Sequence, residues 1–67
     1  MTANQFRALI RRLGLSQAKA AALVGSAART GRSWALDERA VPECVAILLR
    51  LLVAGKITIQ DVEGVRA

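Results

Sequence analysis

The sequence predicts an all-α fold of five helices, on three observations. Apolar residues recur at helical spacing, capping residues and glycines bracket the apolar runs, and no stretch alternates with period two for long enough to need a sheet. Only KITIQ (residues 56–60) would pass for a short strand. Thr2, with Gln5 three residues on, forms a capping-box pattern at the start of the first helix. Phe6, Leu9, Ile10 and Leu13 then make one apolar stripe at i, i+3, i+4 and i+7, and Gly14 ends it. Ser16 caps an alanine-rich second helix, about 16–24, which stops at Gly25. Ser26 or Ala27 starts a third, about 27–36, and DERAV is a polar link. Pro42 suits the first position of a fourth helix that reaches Ala54 before Gly55. Thr58 with Asp61 caps a short fifth.

Sixty-seven residues amount to one small domain, near the lower size limit for a chain that folds alone. The single cysteine and the absence of histidine rule out an internal disulfide and a Cys/His metal site, and no cofactor is expected. MTANQFRALIRRL lacks the long apolar core of a secretory signal. VAILLRLLVAG has about half the length needed to span a bilayer and carries Arg50, so a soluble cytoplasmic protein is expected. An enzyme is hard to build here. The chain has no His or Tyr, Asp37 and Glu38 read as loop charges, and Ser16 with Lys19 at helical spacing lacks an oxyanion loop.

Charge is distributed unevenly. Residues 1–36 hold Arg7, Arg11, Arg12, Lys19, Arg29 and Arg32 with no acid, a sum of +6, whereas residues 37–67 sum to −1. A half with only positive charge repels itself and points to an anionic partner. The joint between helices two and three is the second pointer. A steep crossing through a short turn needs a small residue where the helices touch and a left-handed residue at the corner, and Ala21 with Gly25 meet both needs. Trp34, nine residues beyond Gly25, returns to the inner face. Together these features describe a helix-turn-helix.

LGLSQAKAAALVG followed by ARTGRSW resembles the Cro/XRE-type helix-turn-helix family of phage repressors, over residues 5–53. The continuation RAVPECVAILLRLL narrows the likeness to small phage autorepressors of the anti-CRISPR-associated (Aca) kind. The resemblance implies a homodimeric transcriptional regulator, most simply an autorepressor of a phage or mobile-element operon, binding an inverted repeat in double-stranded DNA. It implies that helix three enters the major groove. Arg29 is then the first choice for a base contact, because arginine matches the two acceptors of guanine. Arg32 reads a base or holds a phosphate, Ser33 shares their face, and Ala28 meets a thymine methyl. Gln17, Thr30 and Arg39 fit phosphate contacts, while Arg7, Arg11 and Arg12 read as solvated charges.

The chain departs from that family at three positions. Ser26 stands where a buried valine is common. Ala27 stands where Ser or Thr often caps helix three, so Ser26 is expected to cap one residue early. Gly31 stands where a bulky residue packs inward, beside Ala27 and Trp34 on the inner face. A missing Val or Ile there would forgo about 1.5–3 kcal/mol of burial, with Trp34 filling part of the space.

Helix four is apolar on nearly every side, and a helix greasy all round is normally buried all round. A self-associating region at about 42–65 is the simplest remedy, using Ile47, Leu48, Leu51, Leu52 and Ile59, with Ile57 and Val62 beside them. Cys44 is expected to be a small buried residue. Two other functions compete with this one: an antitoxin-type or RNA-binding use of the basic face, and a protein–protein adaptor in which Gly31 and Ser26 mark lost DNA binding.

Overall fold

Local signals account for most of the helix boundaries in the computed structural model, which describes residues 1–66. Helix α1 spans Ala3–Leu13, α2 Gln17–Leu23, α3 Ala28–Ala35, α4 Glu43–Val53 and α5 Ile59–Arg66. The Thr2 hydroxyl accepts from the Gln5 N–H at 3.1 Å while the Gln5 side chain accepts from the Thr2 N–H at 2.8 Å, closing the capping box of α1. Thr58 and Asp61 repeat it at α5, with distances of 2.9 and 3.1 Å. Ser16 caps α2 by accepting from the Lys19 N–H. KITIQ makes no strand: Ile59 and Gln60 are the first residues of α5, and no strand occurs among the described residues.

Two starts differ from expectation. Pro42 is the N-cap of α4 and lies just outside the helix, which begins at Glu43. The N-cap of α3 is Ala27, with no side-chain hydrogen bond, so Ser26 does not take over the cap. The Ser26 N–H is instead spent on α2, donating to the Ala21 carbonyl at 2.9 Å, while the Gly25 N–H donates to the Ala22 carbonyl at 3.0 Å. That pair is a Schellman ending, and the φ of +79° at Gly25 is what it needs. Ala27 is exposed, not turned inward, because it precedes the first turn of α3. Replacing it with serine supplies the missing acceptor. Ala27→Ser should raise stability by about 1 kcal/mol, read as a higher urea midpoint at unchanged slope.

Helix α1 lies at the centre, packed on α2, α3 and α4, while α2 packs on α3 and carries α5. Phe6 and Leu49 are fully buried, and the Phe6 and Trp34 rings meet edge to face, with centroids 5.7 Å apart and planes at 80°. Val45, Ala46, Leu49 and Leu52 form the inner face of α4. Leu52 is thus 6% exposed and offers no surface to a partner, contrary to its expected place in an interface. Val62 is also buried, and Leu48, Ile57 and Ile59 are half-buried against the same core. Cys44 lies on the opposite side of α4 and is exposed, not buried. No helix among the described residues is long and apolar enough to cross a membrane.

Candidate nucleic-acid interface

The orientation of α3 follows from which of its residues are small or aromatic. Gly31, Trp34 and Ala35 are buried, which leaves Ala28, Arg29 and Arg32 exposed and Thr30 and Ser33 half-exposed on the other side. Helix α3 crosses α2 closely. A Cβ built on Gly31 would lie 2.2 Å from the Gln17 carbonyl oxygen and 3.0 Å from the Ala21 Cβ. Gly31 therefore leaves no vacancy for Trp34 to fill. Its missing side chain is the condition for the approach, with Ala21 as the matching small residue on α2. Helix propensity is traded for contact here.

Two contacts from α1 hold the C-terminal end of α3. Phe6 meets Trp34 edge to face, and the next residue on each helix repeats the link, with the Arg7 guanidinium donating to the Ala35 carbonyl and also to the Asn4 side chain. Arg7 is half-buried and tied, not a freely solvated charge. A cation on one of the last carbonyls also opposes the negative end of the helix dipole. Arg7→Met should cost about 1–2 kcal/mol by leaving that carbonyl without its charged donor. Faster amide exchange at the end of α3 than in α1 would show the loss is local, and unchanged exchange would show the tie is unimportant.

The turn after α3 folds an acid onto the exposed face. Asp37 takes a φ of 62°, the left-handed ending usually given to glycine, and the Glu38 N–H donates to the Ser33 carbonyl at 2.9 Å. The Ser33 hydroxyl then donates to the Glu38 carboxylate at 3.4 Å. Glu38 and Arg7 are the residues that sequence reasoning missed. Asp37 itself carried a faint signal, because a short polar residue just past a helix end favours this backbone.

A shallow concavity on the flank of α3 is lined by Ala27, Arg29, Thr30, Ser33 and Arg39, so the structure gathers four of the expected contact residues in one place. Arg32 is exposed but outside it, and Ala28 lies on the side facing Lys19 of α2 and Glu63 of α5. Gln17, half-buried at the first position of α2, lines a separate cleft between α1 and α2 with Arg7, Arg11 and Ser16. The exposed charges of this side are Arg29, Arg32 and Arg39 against Asp37 and Glu38. Such a surface can hold an anion by fixed charges and offers guanidinium forks to planar acceptors. No family model, curated protein or solved structure matches the chain.

Proposed function

We propose that the chain is a sequence-specific regulator of transcription that binds double-stranded DNA, with α2 and α3 as a helix-turn-helix of the Cro/XRE type. In this reading it is a homodimeric autorepressor of a phage or mobile-element operon, similar to the Aca kind. The observation that carries the reading is the exposed outer side of α3, where Arg29 and Arg32 stand clear while Gly31, Trp34 and Ala35 anchor the helix. A rigid helix with arginines on its free face suits the major groove, where guanidinium groups match guanine N7 and O6. Arg29 and Arg32 contact bases, with Ser33 and Ala28 beside them, while Gln17, Thr30 and Arg39 hold phosphates. Close packing at Gly31 supports an intact module and removes a reason to read decay into that position.

Autorepression predicts tight binding to a duplex from immediately upstream of the reading frame, and weaker binding to a scrambled duplex of equal composition. Equal affinity for both would sink the autorepressor reading. Glu38 supplies a further prediction, since a carboxylate beside Ser33 repels phosphates and occupies the hydroxyl. Glu38→Gln should tighten duplex binding about threefold at low salt, with the gain shrinking as salt rises. A gain that persists undiminished at high salt would argue against this electrostatic account.

A further inference from the structure

We infer that two copies of this chain associate through the exposed strip of α4, with the helices antiparallel about a twofold axis that passes beside Ile47. This rests on the homodimeric reading above and adds its surface, its direction and its pairing. The inner face of α4 is consumed by the core, leaving Glu43, Cys44, Ile47, Arg50 and Leu51 outside. Ile47 is 51% exposed and Leu51 is 38% exposed, and they form the apolar centre of the strip.

The charges say what covers it. Glu43 stands in the first turn and Arg50 in the last, so the strip is negative at one end and positive at the other. Both side chains run along the same side, as the 3.6 Å contact between Glu43 Oε1 and Arg50 Nη1 demonstrates. A parallel copy would set like charges side by side. An antiparallel copy sets Glu43 against Arg50 of the partner subunit, twice over, and brings Ile47 onto Ile47 of the partner subunit. The midpoint between residues 43 and 50 falls next to Ile47, so one axis serves the charges and the apolar centre together. A self-complementary patch of this kind closes into a twofold dimer and stops. A nucleic acid would meet an apolar centre, and an anionic membrane would meet only one cation on the strip.

The test exchanges the charges in the full chain. Glu43→Arg places arginine opposite arginine across the interface, and Arg50→Glu places acid opposite acid. Sedimentation at low salt should show each variant associating about tenfold more weakly than wild type, with the helical circular dichroism of all three alike. A one-to-one mixture should recover wild-type association, with native mass spectrometry showing the mixed species in excess. The contact within each chain stays broken in the mixture, so recovery can come only from pairing between chains. Single variants that associate like wild type, a mixture no tighter than its components, or a monomeric wild type would each overturn the proposal. Recovered association without duplex binding would uphold the interface and overturn the DNA reading. Duplex binding by a monomeric wild type would do the reverse.

Discussion

Gly31→Ala is expected to destabilise the protein by about 1–3 kcal/mol, although alanine is the better helix former by about 1 kcal/mol. The added methyl would sit 2.2 Å from the Gln17 carbonyl oxygen and 3.0 Å from the Gln17 carbonyl carbon, and neither belongs to a flexible side chain. Relief requires α2 and α3 to move apart, which loosens Ala21, Trp34 and Ala35 together. A chain of this length has roughly 3–10 kcal/mol of stability in all, so the loss would be a large part of it. Urea unfolding of the variant reads it directly. A stabilised Gly31→Ala would mean the helices are not in close contact at that point.

Gly31 also marks where sequence reasoning stopped. Helical spacing places it inward, and whether an inward glycine leaves a hole or permits an approach depends on how closely two helices pass. Ala21 was the available clue, because a small residue on one helix calls for another opposite it. Capping residues at Thr2, Ser16 and Thr58 were legible, since each acts within a few positions of itself. So were the endings at Gly14, Gly25 and Gly55, all at positive φ. The faces of α4 were not. Where nearly every residue is apolar, periodicity cannot tell the inward Leu52 from the outward Cys44 and Ile47. Arg7 was beyond reach for another reason. Its partner lies 28 residues away on a helix whose placement depends on the whole core. The exposed side of α3 was readable because two arginines and a tryptophan cannot share a face there.

Arg29→Ala should cost about 1–3 kcal/mol of discrimination between the preferred duplex and a scrambled one, roughly five- to 150-fold in relative affinity. Arg29 is exposed and makes no hydrogen bond or ion pair among the described residues, so urea midpoints for mutant and wild type should agree closely. Arg39→Ala provides the contrast. A phosphate contact carries no sequence information, so its loss should weaken binding to both duplexes alike and lower the salt slope by about 1. If the two variants behave in the same way, α3 supplies charge without readout, and the assignment of Arg29 to a base edge falls.

Selection of bound duplexes from a random library, with wild type and Arg29→Ala in parallel, tests the central claim most directly. Wild type should enrich an inverted repeat whose half-sites lie about one helical turn apart and contain a guanine, and the variant should lose the preference for that guanine. Enrichment of no motif by wild type, with binding that fades for all duplexes alike as salt rises, would contradict it. The basic face would then be an electrostatic surface only.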